Sequence, residues 1–221
     1  RRRGWGILPP IDITVAGEVL VAADILDPVF HAKLCTWLSS GAVRLSHFGT
    51  PCTSFSIARR DDGGPKPIRS PEHLFGIPSI PARDKEAVRL GTKLLDLTIA
   101  CCNLISEAGG DWSIENPATS MLWLMPQTIE FLDELSAVKI RLDLCAFGAP
   151  SQKPTTFVAS GKWLTQLARS CPGKTPKHQH VVLQGRIWHE GKSVFATKLA
   201  QVYPVLMCNC YATCAEIVGI K

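Results

Sequence analysis

Apolar positions recur along this chain with two periods. Ala87, Leu90, Leu94, Leu97, Cys101, Leu104 and Ala108 step by alternating threes and fours, the spacing of one helix face. This predicts a helix over 84–110. A second helix is predicted over 27–41, with Asp27 as its cap, Pro28 in the first turn and Gly41 as its stop. Its apolar face is Phe30, Leu34, Trp37 and Leu38. A third helix is expected at about 126–136. Shorter apolar runs read as strands over 5–13, 18–25, 42–49, 111–117, 138–148 and 155–160. The first ends near Asp12, the second at Asp24, and Pro117 breaks the fourth.

Strands alternating with helices predict an α/β fold with a largely parallel sheet. Ligands of such sheets bind beyond the carboxyl ends of the strands. Asp12, Asp24, Cys52 and Glu115 all fall at predicted strand ends, so four polar or reactive groups are expected along one rim. Residues 59–83 are rich in Gly and Pro and carry Arg59, Arg60, Lys66, Arg69 and Arg83. A loop of this length within a compact domain is usually functional or disordered.

Composition narrows the choice. Of 221 residues, 46% are apolar and 19% charged, which excludes a disordered chain and suits one domain over 1–221. The net charge of +5 permits a nucleic-acid partner without requiring one. Nine irregularly spaced cysteines read as reduced thiols and point to an intracellular location. No apolar run reaches the ~18 residues of a membrane span, so no membrane partner is expected. The first residue is Arg1, and the chain is expected to come from a longer protein. Cys171, His178 and His180 have the chemistry of zinc ligands, but no fourth ligand is evident, so a polar turn is expected and no metal is assigned. Of Cys208, Cys210 and Cys214, the last two would share a helix face and read as packing residues.

Three segments, "PCTSFS" (51–56), "IENP" (114–117) and "FGAPSQKPTTF" (147–157), resemble, in order and rough spacing, the DNA (cytosine-5) methyltransferases, in the style of divergent members carried by viruses and mobile elements. The resemblance implies a Rossmann-like methyltransferase fold that uses S-adenosyl-L-methionine. It makes Cys52 the nucleophile and Glu115 the group that grips the target cytosine. "PPIDI" and "VAADILDP" look like the cofactor-binding strands, which implies contacts from Asp12, Asp24 and Ile25, with Pro51 beside them. Ser56, Arg59, Arg60, Lys66, Arg69, Gln152 and Lys153 are implied on the nucleic-acid side. The implied partner is a DNA duplex with one flipped cytosine, in the nucleus if the host is eukaryotic. RNA is the alternative substrate, and the oligomeric state stays open.

The chemistry explains these residue types. A thiolate adding to C6 of cytosine makes C5 nucleophilic. A glutamate at N3 and the exocyclic amine favours that addition. A loop leading to a helix N-terminus, near arginines, is expected to lower the thiol pKa. Taking the base from the stack costs roughly a few kcal/mol. The sequence also departs from the family. Its Gly-rich cofactor loop has no counterpart before "ILPPIDI", so the chain is expected to be truncated at its N-terminus. Pro154 and Thr156 stand where two arginines are expected. Residues 160–193 replace a larger target-reading segment and are expected to be a reduced version of it. A non-catalytic nucleic-acid-binding remnant is therefore a second reading. A cysteine hydrolase pairing Cys52 with His47 is a third.

Overall fold

The computed structural model describes residues 6–12, 14–15, 18–19, 23–59, 65–189 and 191–219. β1 (Thr14–Val15) and β2 (Glu18–Val19) form a short antiparallel pair. α1 (Pro28–Ser39) starts as its sequence dictates: the Asp27 carboxylate accepts the Phe30 N–H at 2.8 Å, and Pro28 opens the first turn. Leu34 and Leu38 are buried on its inner face, whereas Trp37, expected there, points outward.

β3 (Leu45–Phe48), β4 (Asp111–Pro117), β5 (Val138–Asp143) and β6 (Pro154–Ala159) form the central sheet, in the order β3-β4-β6-β5. β3 and β4 are parallel, and β6 is antiparallel to both β4 and β5. The sheet is therefore mixed, not largely parallel as expected. Residues 144–153 explain the reversal at β5–β6: a parallel return needs a crossover of about a dozen residues or more. Helices and 3-10 turns flank the sheet, and the fold is α/β.

Two predicted strands do not join this sheet. Residues 6–12 form no strand, and Pro9 and Pro10 there have no N–H for a ladder. In the 18–25 segment, β2 pairs with β1 alone, and residues 20–22 lie outside the described ones. Asp12 and Asp24 are thus not at ends of central strands.

Side-chain alternation along β4 builds the two faces. Trp112 and Ile114 pack with Leu34, Leu38, Leu95, Ile105 and Phe131, beneath α1, α2 (Ala82–Glu107) and α3 (Pro126–Glu134). Ser113 and Glu115 alternate to the opposite face. There Ile140, Leu142, Phe157 and Ala159 pack against Trp163, Leu164 and Met207. These come from the 3-10 turn Lys162–Leu167 and from α4 (Val205–Gly219). β7 (Arg186–His189) and β8 (Lys192–Phe195) make a separate hairpin.

α2 buries a row shifted by one position from its apolar stripe. The buried residues are Val88, Gly91, Leu95, Thr98, Cys101, Cys102 and Ile105. Small and hydroxylated side chains enter the row because the Cys52 loop lies against it. A Cβ on Gly91 would overlap the Ser54 hydroxyl, and Thr98 hydrogen-bonds Thr50 at 3.0 Å.

Candidate active site

β3 and β4 are paired in parallel, with Phe48 opposite Ile114. Four residues beyond β3 lies Cys52, and one residue beyond Ile114 lies Glu115. Two groups far apart in the chain are therefore brought to one carboxyl edge. Asn116 locks this edge: its side-chain N–H donates to Thr50 O at 2.7 Å. The turn after Cys52 closes through Phe55 N–H to Cys52 O at 2.9 Å.

Lys153, preceding β6, completes the group. Its ammonium lies 3.7 Å from Glu115 Oε1. Tyr203, just before α4, donates to Glu115 Oε2 at 2.8 Å. Glu115 is buried, and its Oε1 has no hydrogen-bond donor among the described residues. One carboxylate oxygen is thus committed to tyrosine, and the other faces the lysine without a hydrogen bond.

Burial raises the Cys52 thiol pKa above its ordinary value, opposed by Lys153 and reinforced by Glu115. The expectation of a lowered pKa is therefore corrected. No helix starts within residues 53–59, directly after Cys52, and desolvation outweighs the single nearby cation. The thiol nevertheless responds to both charges, which places it in the same electrostatic neighbourhood as Glu115 and Lys153.

A polar chain continues behind Glu115. His47 lies among the rings of Phe157, Tyr203 and Tyr211. Desolvation there lowers its pKa. Solvent still reaches one side of the residue, and the lowered pKa leaves His47 neutral at pH 7. A neutral imidazole has one donor and one acceptor nitrogen. The Tyr203 hydroxyl donates to Glu115, so its oxygen is left to accept from His47 Nε2 at 3.5 Å. Nδ1 then accepts from Ser113 at 2.9 Å, and Ser113 accepts from Tyr211 at 2.7 Å. Tautomer and hydroxyl directions here are assigned from this pattern. Burial keeps both tyrosines protonated well above their ordinary range. His47 is bonded to Ser113 and Tyr203, so this network gives no support to a Cys52–His47 hydrolase.

The remaining assigned residues are scattered. Asp24 Oδ1 accepts the Leu26 N–H at 2.8 Å, a local turn. Ile25 packs against the core under α1. Asp12 and Pro51 are exposed. Ser56 accepts the Ala58 N–H. Arg59 donates to Lys66 O at 3.2 Å and lies 3.5 Å from Asp84. Arg60 lies outside the described residues, and Lys66 and Gln152 are exposed.

Arg69 overturns its assignment to a phosphate-facing loop. It is 2% exposed. Its guanidinium donates to Ser54 O at 3.1 Å, Val88 O at 2.8 Å, Thr92 Oγ1 at 3.1 Å and Leu74 O. It also lies 4.1 Å from the Phe55 ring centroid. Arg69 is a clamp that ties the turn after Cys52 to α2, and it has no face left for a phosphate. Reading the sequence did not find this role, nor those of Asn116, Tyr203 and Ser113. The "IENP" strand end was the available signal for Asn116.

The fold and site thus define a class: an α/β protein with a mixed sheet, carrying a cysteine, a buried glutamate and a lysine at one strand edge. In comparisons with known proteins, no family model, no curated protein and no solved structure matches the chain significantly.

Proposed function

We propose that this chain is a catalytic domain of a cytosine-C5 methyltransferase acting on DNA, and that its sheet belongs to a Rossmann-like methyltransferase fold. One observation carries the reading: Cys52 and Glu115 lie at the same edge of two parallel strands, with Lys153 3.7 Å from Glu115. This is the arrangement that the resemblance of "PCTSFS", "IENP" and "FGAPSQKPTTF" requires.

The residues act on a flipped cytosine as follows. The Cys52 thiolate adds to C6, and the ring electrons move onto C5. Glu115 Oε1, the oxygen without a hydrogen bond, shares a proton with N3, which offsets the charge that addition at C6 puts on the ring, while the Tyr203 hydroxyl holds Oε2 in place. Lys153 offsets the negative charge gathered by thiolate and carboxylate. Loss of a proton from C5 and expulsion of the Cys52 thiolate restore the aromatic ring. S-Adenosylmethionine would supply the methyl group for C5.

The residues assigned to that cofactor do not form a cradle among the described residues. Asp24 caps a local turn, Ile25 is committed to the core, and Asp12 stands outside the sheet. This observation favours a second reading, a nucleic-acid-binding remnant that has lost methyl transfer.

Exchange of the C5 hydrogen tests the proposal without cofactor, because addition at C6 alone makes C5 exchangeable. Duplex DNA with tritium at cytosine C5 should release tritium to water with the parent protein and not with Cys52→Ser. Glu115→Gln should slow release on the order of 100-fold, as losses of electrostatic stabilisation do. Binding of DNA without release supports the remnant. Release from single-stranded RNA but not from DNA would move the reading to an RNA enzyme.

A further inference from the structure

A second cluster of reactive side chains lies outside the candidate active site. Cys145 sits in the 3-10 turn Leu144–Phe147 between β5 and β6. Cys171, His178 and His180 come from residues 168–185, which contain no helix or strand. The four ligand atoms all lie within 4.8 Å of one another. Cys171 Sγ is 3.5 Å from both His178 Nε2 and His180 Nε2, and the two nitrogens are 2.9 Å apart. A tetrahedral zinc with bonds of about 2.05 Å to nitrogen and about 2.3 Å to sulfur has S–N edges of about 3.6 Å and N–N edges of about 3.3 Å. The Cys171 sulfur–nitrogen distances already match, and the imidazoles need to part by only about 0.4 Å to fit those bond lengths.

The surrounding backbone is shaped to present these atoms. Thr175 and His178 exchange both backbone hydrogen bonds at 3.0 Å, making a tight turn. His178 and His180, two apart after this turn, aim at one point. The Gly173 N–H donates to Cys171 Sγ at 3.3 Å, and the Cys171 N–H donates to Asp143 Oδ2 at 2.8 Å.

We propose that Cys145, Cys171, His178 and His180 bind one zinc ion as a structural site. Two soft thiolates with two imidazoles select zinc, and four protein ligands leave no open position for catalysis. Its role is to pin residues 168–185 to the sheet, since a run this long without regular structure needs an anchor. The anchor lies next to the candidate active site. Leu144 N–H donates to Lys153 O at 3.2 Å, and Val181 N–H donates to Pro150 O at 2.8 Å. The metal thereby braces both sides of the loop that presents Lys153. The inference does not depend on methyl transfer.

The test uses the whole chain purified under reducing conditions and dialysed against a weak chelator. Elemental analysis should find about one zinc per chain, and cobalt reconstitution should give the visible bands of a tetrahedral thiolate site at 1:1 stoichiometry. Cys145→Ser and His180→Gln should each weaken zinc binding by about 100-fold or more, since even second-sphere losses reach 10–100-fold. Cys208→Ser, at an exposed thiol outside the cluster, should bind as the parent does. Retention of zinc by Cys145→Ser at parental affinity overturns the four-ligand site. If the ligand variants fail to fold, the parent decides: no tetrahedral cobalt spectrum at one equivalent refutes the proposal.

Discussion

Replacing Arg69 with Met separates two roles that its sequence context confuses. Met keeps most of the apolar volume and removes all the donors. Ser54 O and Leu74 O then lose a charged partner inside the core. Val88 O keeps the Thr92 hydroxyl at 3.0 Å. Loss of the donor costs about 1–3 kcal/mol at the buried Ser54 O and less at the part-buried Leu74 O, and loss of the guanidinium on Phe55 costs up to about 2 kcal/mol. Against this, the variant no longer buries a charge; Arg69 has a pKa lowered to about 10 by burial and is still charged at neutral pH. The net expectation is a loss of about 3 kcal/mol, a large share of the roughly 5–15 kcal/mol of a typical domain. Urea unfolding followed by tryptophan fluorescence measures it. DNA binding by the still-folded fraction should keep its salt dependence. A phosphate contact would behave oppositely, with stability unchanged and the log–log salt slope reduced by about 0.9. That second pattern would refute the clamp.

Three further predictions concern the Cys52 loop and its neighbour Lys153. Gly91→Ala gains up to about 1 kcal/mol in helix propensity, but the new methyl would overlap the Ser54 hydroxyl and approach Arg69 Nη2 at 3.4 Å. Overpacking of about 1–3 kcal/mol should prevail, so urea unfolding should show a net loss, and a more stable variant would contradict the close approach. Because burial raises the Cys52 pKa above its ordinary value, its thiolate fraction should rise about tenfold per pH unit through neutrality. Tritium release should climb across pH 7 to 9 without a plateau. Lys153→Met removes the cation that opposes this shift and should move the whole profile to higher pH; a plateau from pH 7 in the parent would count against a buried thiol.

What the sequence revealed followed local rules. β4 was bounded correctly at 111–117, because a run of strand residues ends at Pro117. α1 followed from Asp27, Pro28 and Gly41, the last at φ +74°. Cys52 and Glu115 were expected on one rim; Cys52 follows β3, Glu115 lies near the end of β4, and the two strands pair. Long-range features were not legible. β5 was expected to run to 148, but it stops at Asp143, where a 3-10 turn closed by Gly148 at φ +92° takes over. The order of strands depends on pairings that no single segment encodes. Gly91 and Thr98 were passed over in α2 because an apolar count ignores small residues that admit a close neighbour. Arg69 looked solvent-facing among prolines and basic residues, and its carbonyl partners lie on segments that only folding brings together. Cys145 went unrecognised as a fourth zinc-type ligand because it precedes Cys171 by a whole strand and turn.

The central claim is that Cys52, placed beside Glu115, attacks C6 of a cytosine. A duplex containing 5-azacytosine, with nitrogen in place of C5, retains the thiol adduct and needs no cofactor. After incubation, digestion and peptide mass analysis should find one modified cysteine among the nine, in the peptide that contains Cys52. The adduct should be lost in Cys52→Ser and form more slowly in Glu115→Gln. An adduct on another cysteine, or none from a chain that binds the duplex, would contradict the account.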